Sequence, residues 1–149
     1  MRDVIEETKR LILNNNRKNL TEMARIGYLY DKKGRPEEQF EVYVNTNDGG
    51  DRPHFHLRYE PHFHLRYEPD WDEFHSCIRI DCCEYFEHEG KESTLNSSMR
   101  KRLVNFLTSI NEDDDSKTNW QVLVIEWNRN NSNQKVDKDI EMPDYLNLK

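Results

Sequence analysis

Residues 53–68 read PHFHLRYEPHFHLRYE, an octet written twice without a difference. In the first copy Phe55, Leu57 and Tyr59 alternate with polar residues, which is the period-2 pattern of a half-buried strand. Because the period of the repeat is even, the second copy would place its apolar residues on the same face. Pro61 stands at the junction and lacks the N–H that a sheet ladder requires. We therefore expect one copy to pair in the core sheet and the other to lie at an edge, bulge out or form an extra hairpin.

Four other segments have strand-like patterns: RIGYLYD (25–31), QFEVYVN (39–45), CIRIDCCEYF (77–86) and WQVLVIEW (120–127). The first two flank a turn that contains Gly34 and Pro36, which predicts a β-hairpin. In the third, Ile78, Ile80 and Cys82 are expected on one face. The last is apolar almost throughout, so we expect a strand that is buried on both faces.

Two segments have the periodicity of amphipathic helices. The first is DVIEETKRLIL (3–13), with apolar residues at helical spacing and charges opposite. The second is NSSMRKRLVNFLTSI, where Asn96 or a neighbouring serine is the expected N-cap. Its apolar stripe consists of Met99, Leu103, Phe106, Leu107 and Ile110.

The expected fold class is α+β. It consists of a single domain with a mostly antiparallel sheet of four to six strands, an N-terminal helix and one longer helix packed on one face. Residues 1–20 hold the N-terminal helix and its connector, and 25–127 form the core. Residues 128–149 form a polar C-terminal tail, which we expect to be mobile.

Charge and composition narrow the classes of partner. The 149 residues include 22 basic and 29 acidic side chains, a formal charge of -7, which disfavours direct binding of nucleic acid. An acidic surface suits solubility, a basic partner protein, or imitation of nucleic acid. Three cysteines and the absence of an apolar leader favour a cytoplasmic protein. No apolar run approaches the roughly 20 residues that a membrane span needs. A protein partner is expected, and the oligomeric state is left open.

A family resemblance adds to this. The segment DRPHFHLRYE, the later IRID, a turn with Gly90, the helix-like MRKRLVNFL and the pair Asn119-Trp120 resemble a family of small bacterial proteins of unknown function. Its members carry a proline followed by His-Phe-His on a strand and look like components of toxin–antitoxin-type gene pairs. The likeness covers about residues 25–127, with PHFH as its most specific motif. It implies a fold and a genomic setting rather than a reaction. The family looks helical after the Asn-Trp pair, in contrast to the strand predicted here.

The octets present paired histidines. His54 and His56, and likewise His62 and His64, are two residues apart, so each pair lies on one face of a strand and can chelate a metal ion. Candidates for a third ligand follow in the next strand and its turn: His75, Cys77, Cys83 and His88. If the face binds a metal, zinc is the expected ion. Otherwise the protein has no cofactor and the histidines pack against neighbouring side chains. The repeat then represents a tandem duplication, of natural or laboratory origin, tolerated as an insertion.

The same face also carries groups for catalysis or binding. A catalytic set would consist of His54, His56, Arg58 and Glu60, which supply general acid–base groups and a guanidinium that matches phosphate. A binding face would consist of His56, Arg58, His64 and Arg66. The plainer interpretation is a polar strand with cross-strand ion pairs.

Three functions follow as hypotheses. The leading one is a non-catalytic cytoplasmic interaction module, antitoxin-like or inhibitory, because no defined catalytic motif is present. The second is a metal- or histidine-dependent nuclease or phosphodiesterase that uses the PHFH face. The third is an acidic phage-type inhibitor of a nucleic-acid-binding host protein.

Overall fold

A computed structural model of the chain describes residues 23–29, 39–46, 52–60, 74–87 and 92–148. The helix predicted at 3–13, the turn at 31–38 and the second octet lie outside these ranges. Within them, none of the helices combines the length and the apolar composition that crossing a membrane requires.

The strands pair in chain order as an antiparallel sheet, which confirms the predicted α+β class. They are β1 (Met23–Leu29), β2 (Gln39–Asn45), β3 (His54–Glu60) and β4 (His75–Arg79). β1 and β2 confirm the predicted pair of strands. The first copy of the octet forms β3, which hydrogen-bonds to β2 on one side and to β4 on the other. The copy at 53–60 is therefore a central strand.

The segment predicted as one strand at 77–86 is interrupted. β4 ends at Arg79, the chain turns, and Tyr85 returns to form an isolated antiparallel bridge with Ile78. Cys82 consequently lies in the turn and not on the strand face of Ile78 and Ile80, as the sequence predicted. Arg79 explains the turn, because its guanidinium donates to Asp81 at 2.7 and 2.9 Å and closes it as an ion pair.

One face of the sheet packs against two helices to form the core. Helix α1 (Ser97–Thr108) begins where the sequence predicted, and the side chain of Asn96 accepts a hydrogen bond from the backbone N–H of Met99 at 2.9 Å. Met99, Leu103 and Leu107 form its buried stripe. Ile110, assigned to that stripe, follows the end of the helix and is 57% exposed. The sheet contributes these buried apolar residues to the same core: Ile26, Leu29, Phe40, Val42, Val44, Phe55, Leu57, Tyr59, Ile78 and Ile80.

The strand predicted at 120–127 is wrong: the segment lies in helix α2 (Asn119–Asn130). Thr118 caps it in a capping box, in which the Thr118 side chain accepts from the N–H of Gln121 and the Gln121 side chain accepts from the N–H of Thr118. Its buried apolar residues fall at helical spacing: Trp120, Leu123, Val124 and Trp127.

The polar C-terminal segment packs on the core. A 3₁₀ helix (Tyr145–Asn147) buries Tyr145 completely, and the Tyr145 hydroxyl donates to the backbone carbonyl of Arg79 at 2.5 Å. The indole N–H groups of α2 donate to this segment as well, Trp120 to the carbonyl of Ile140 and Trp127 to that of Gln134. Part of the segment expected to be a mobile tail is therefore integral to the fold.

Replacing Asn119 by alanine should lower the free energy of unfolding by about 2–3 kcal/mol. The buried Asn119 amide donates to the carbonyl of Phe106 at 2.7 Å and accepts from Asn111 at 2.9 Å, which fixes the loop between the helices. Each partner would lose its hydrogen bond to Asn119, while the Phe106 carbonyl would still accept from the N–H of Ser109. Urea unfolding measures the change, and alanine at exposed Asn133 serves as the control, with an expected change below about 0.5 kcal/mol. Equal stability of the two variants would contradict the role of Asn119.

Tyr145 should make the protein sensitive to alkali. Burial raises the pKa of its phenol well above the ordinary value, so its contribution to stability is complete below the pKa of the unfolded chain, about 10, and is lost as the pH rises above it. Tyr145→Phe should lose about 1 kcal/mol near neutrality and show a smaller further loss at alkaline pH. Urea unfolding at about pH 8 and about pH 11 measures both. Cys82, whose thiol pKa is also raised by burial, is replaced by serine in both proteins. An identical alkaline loss in the two would contradict this assignment.

Candidate metal centre

The sheet face opposite the apolar core is polar. Side chains alternate along a strand, so every second residue of β2, β3 and β4 lies on this face. Those whose side chains the structure describes are Glu41, Tyr43 and Asn45 on β2, His54, His56 and Arg58 on β3, and His75, Cys77 and Arg79 on β4. The antiparallel register aligns Tyr43, His56 and Cys77 in one row, and Glu41, Arg58 and His75 in the next. His56 therefore lies at the centre of this polar face.

Three side chains on this face converge. His56 Nδ1 lies 2.9 Å from His75 Nε2, Cys77 Sγ lies 3.3 Å from His56 Nδ1, and Cys77 Sγ lies 3.8 Å from His75 Nε2. These atoms all lie within 4.8 Å of one another, as required of groups that share one metal ion. We call this set the His-His-Cys cluster.

The spacing within the cluster matches tetrahedral zinc. With zinc–nitrogen bonds of about 2.05 Å and zinc–sulfur bonds of about 2.3 Å, tetrahedral angles put two ligand nitrogens about 3.3 Å apart and a nitrogen and a sulfur about 3.6 Å apart. Each distance in the His-His-Cys cluster lies within about half an ångström of these values. Two imidazoles and a thiolate are also donor types that bind zinc in preference to magnesium or calcium, which favour oxygen ligands.

Stacked rings hold the cluster in place. The ring of His56 stacks on that of His75, with centroids 5.1 Å apart, and on its other neighbour Tyr43, with centroids 4.9 Å apart. His56 is 3% exposed and Cys77 is fully buried, whereas His75 is partly exposed. Solvent therefore approaches the cluster from the side of His75. The Tyr43 hydroxyl lies there too, 3.4 Å from His75 Nε2.

Asn45 determines which nitrogen of His56 faces the cluster. Its side-chain amide nitrogen lies 3.3 Å from His56 Nε2. An amide N–H that donates to Nε2 requires the proton of His56 to be on Nδ1, where it is donated to His75. A metal on Nδ1 would instead move this proton to Nε2, and the Asn45 amide would turn so that its oxygen accepts it. Asn45 can thus support either state.

His54 lies on the same face as His56 but not in the cluster. Its Nδ1–H donates to the carbonyl of Arg52 at 2.8 Å, and its ring stacks on Phe86 with centroids 4.3 Å apart and approaches Trp127. The structure therefore groups His56 with two of the residues predicted as third ligands and leaves His54 in an aromatic environment. Because the His54 ring packs against Phe86 and Trp127, it does not join His56 in the cluster.

Of the other predicted site residues, apart from Arg58, the structure describes only the side chain of Cys83. His62, His64, Arg66 and His88 lie outside the described residues, and so does the side chain of Glu60, the last residue of β3. The thiol of Cys83 donates to the carbonyl of Asp144 at 3.0 Å. Within the described ranges, the His-His-Cys cluster is the group of histidine, cysteine and acidic side chains that converges for a metal.

Beside the cluster, a buried carboxylate holds two arginines. Glu41 is fully buried, and its two oxygens accept from Arg58 Nε at 2.8 Å and from Arg25 Nε at 2.6 Å. A charge this deep is tolerated only when it is paired, and here each oxygen has a guanidinium. Glu41 was not among the site residues predicted from the sequence, although its strand was. The sequence signal for it is its position between Phe40 and Val42, because alternation along the strand places Glu41 on the face opposite the core.

Arg58 links this ion pair to the cluster. Its guanidinium lies over the ring of Tyr43, 4.8 Å from the centroid, and Tyr43 in turn contacts His56 and His75. Arg58 is also the register partner of His75. The predicted catalytic and binding residues His56 and Arg58 are therefore close neighbours.

Comparison with known proteins assigns no identity: no family model, curated protein or solved structure matches the chain. The resemblance to small bacterial proteins stays a prediction.

Proposed function

We propose that the protein binds zinc through His56, His75 and Cys77 and uses it as a reactive centre. The observation that carries the proposal is the convergence of three ligand atoms within 4.8 Å, from side chains on two neighbouring strands. Zinc would be held by His56 Nδ1, His75 Nε2 and the thiolate of Cys77. This set lies closer to the predicted metal-dependent enzyme than to a non-catalytic module.

The number and kind of ligands support a reactive role. Structural zinc sites are closed by four protein ligands, whereas catalytic sites use three and leave a position for water or substrate. The described residues supply three, and the partly exposed His75 marks the side where a fourth ligand can enter. Zinc in such a site supplies Lewis-acid chemistry and lowers the pKa of bound water. Tyr43 is placed beside the open side to hydrogen-bond that ligand.

The alternative to a zinc site is a metal-free function of the same three residues, and the experiment has to distinguish the two. Without a metal, His56 Nδ1–H donates to His75 Nε2 and the cluster is a hydrogen-bonded network. The interaction module predicted from the sequence is compatible with that state and stays a prediction. Affinity purification from the native host, with recovery of a stoichiometric partner, would test it.

Elemental analysis of the purified, untagged protein should find one equivalent of zinc. His75→Ala and Cys77→Ala should each weaken zinc binding by more than about 100-fold, because loss of a direct ligand costs more than loss of a residue that only orients one. Cobalt substitution adds a spectroscopic check, since a cysteine thiolate bound to cobalt gives a charge-transfer band that Cys77→Ala should abolish.

Cys82→Ser is the matched control, because it removes a thiol from the turn and leaves the cluster intact. Circular dichroism confirms that each variant is folded. A folded parent protein that takes up no zinc at micromolar concentrations, or a Cys77→Ala variant that binds as tightly as the parent, would overturn the proposal.

Deletion of residues 61–68 should leave zinc stoichiometry unchanged. Because the two octets are identical, removing either yields the same chain, which keeps one copy of the His56 position together with His75 and Cys77. Zinc content and affinity measured beside the parent test this. Loss of zinc from a folded deletion variant would instead assign ligands to His62 or His64.

A further inference from the structure

We infer that the His-His-Cys cluster also binds copper and that the copper-loaded protein is a one-electron redox centre. The inference rests on the ligand set of the proposed function and goes beyond it, because zinc has no redox chemistry of its own. It follows from the donor types of the cluster, from the way in which the sheet holds them, and from the exposure of one ligand.

The donor types suit both oxidation states of copper. His56 and His75 supply imidazole nitrogens, and Cys77 supplies a sulfur. Thiolate is a soft donor that favours Cu(I), whereas imidazole nitrogen also binds Cu(II), so neither state is excluded by this set. Two histidines and one cysteine in a trigonal arrangement are the ligands of copper centres that transfer single electrons.

The order of metal affinities favours copper over zinc at the same donors. For a given set of nitrogen, oxygen and sulfur ligands, Cu(II) binds more tightly than any other divalent metal of the first transition row, zinc included. The three donors lie within 4.8 Å of one another, which is close enough for either ion. Copper is therefore expected to displace zinc from the cluster and to change its chemistry from Lewis acid to redox centre.

The sheet holds the three donors in fixed positions. His75 and Cys77 lie two residues apart on β4, and Cys77 is the register partner of His56 on β3. The His56 ring stacks on the rings of Tyr43 and His75, at interplanar angles of 13° and 8°. Side chains on paired strands are held more precisely than side chains on loops. A centre whose ligands move little between two oxidation states has a low barrier to electron transfer.

Burial encloses the sulfur but leaves one ligand accessible. Cys77 is fully buried and His56 is 3% exposed, so the sulfur is shielded from oxidants dissolved in water. His75 is partly exposed, so a direct ligand of the metal reaches the surface of the protein. A soluble electron donor can therefore approach the centre through His75 while Cys77 stays enclosed. This arrangement favours electron transfer over direct reaction of the thiol.

Each half of the redox cycle moves one electron and leaves the three metal ligands in place. Ascorbate gives one electron to Cu(II), forms its radical and releases a proton to water, and the centre becomes Cu(I). Ferricyanide then takes one electron from Cu(I), becomes ferrocyanide and restores Cu(II). The imidazoles stay neutral and the sulfur stays a thiolate in both states, as metal ligands must.

The test is titration of the metal-free protein with copper(II) sulfate, followed by absorption and electron paramagnetic resonance spectroscopy. One equivalent of copper should give an intense visible band from charge transfer between the thiolate and Cu(II). Ascorbate should abolish this band, and ferricyanide should restore it. Cys77→Ser should lose the band completely, because serine supplies no sulfur. Cys82→Ser is the matched control, since it removes a thiol outside the cluster, and it should keep the band of the parent.

A second variant and a competition experiment complete the design. If the buried Cys77→Ser substitution prevents folding, as circular dichroism would show, His75→Ala tests the partly exposed ligand and should weaken copper binding by more than about 100-fold. One equivalent of copper added to the zinc-loaded protein should release the zinc and produce the band, as the affinity order requires.

Three results would overturn the inference and leave the zinc site standing. The first is a folded, zinc-binding protein that takes up copper without the sulfur band, which would assign the copper to an adventitious nitrogen and oxygen site. The second is a band that bleaches irreversibly as the Cys77 thiol is lost, because copper would then oxidise its own ligand. The third is zinc that is retained against excess copper. A folded protein that binds neither metal would refute the proposed function as well.

Discussion

The antiparallel pairing of β3 with β2 on one side and β4 on the other fixes both halves of the molecule. It sends Phe55 and Leu57 into the core beneath the helices, and it sends His56 to the opposite face between Tyr43 and Cys77. A shift of register by one residue would exchange these faces and place the histidines in the apolar core. The core therefore determines the site, because the burial of the apolar residues sets the register that brings His56 and Cys77 together.

The polar face is buried more deeply than a solvated sheet face would be, and this has an energetic cost that the contacts must offset. Glu41 is fully buried, and its two oxygens accept from the guanidiniums of Arg58 and Arg25. His56 and Cys77 are equally enclosed, and their polar atoms contact His75, Asn45 and each other. The hydrogen bonds of the cluster therefore offset part of the cost of burying it.

Patterns within short stretches of sequence correctly predicted two strands and the start of one helix. The alternation in QFEVYVN and in the first octet predicted β2 and β3, and Asn96 marked the start of α1. The error at α2 came from treating a continuous apolar run as a doubly buried strand. The capping box of Thr118 and Gln121 was legible in the sequence, as was the spacing of Trp120, Leu123 and Trp127. In that helix Val122 and Ile125 are only half-buried and Gln121 is exposed, so one buried stripe suffices to anchor the helix.

The site was predictable only in part, because its ligands meet across strands. Spacing within one strand pointed to His54 with His56, but the aromatic contacts of His54 depend on Phe86 and Trp127, which are remote in sequence. His75 and Cys77 could be named as candidates, while their alignment with His56 required the register of β3 and β4. Glu41 carried still less signal, since its importance comes from the two arginines that it meets only in the folded sheet.

Because the two octets are identical, the cluster has the same side chains whichever copy pairs as β3. A slip of the β3 pairing by one full repeat brings Phe63 and Leu65 to the core positions of Phe55 and Leu57, and His64 to the position of His56. The side chain offered to His75 and Cys77 is the same in either case. Slips by fewer residues have no such property. An odd shift buries histidine, and an even shift either puts an arginine or a glutamate in place of His56 or puts Pro53 or Pro61 at the core position of Phe55. The repeat therefore preserves both the apolar pattern and the ligand pattern, so the duplication need not have changed the chemistry of the site.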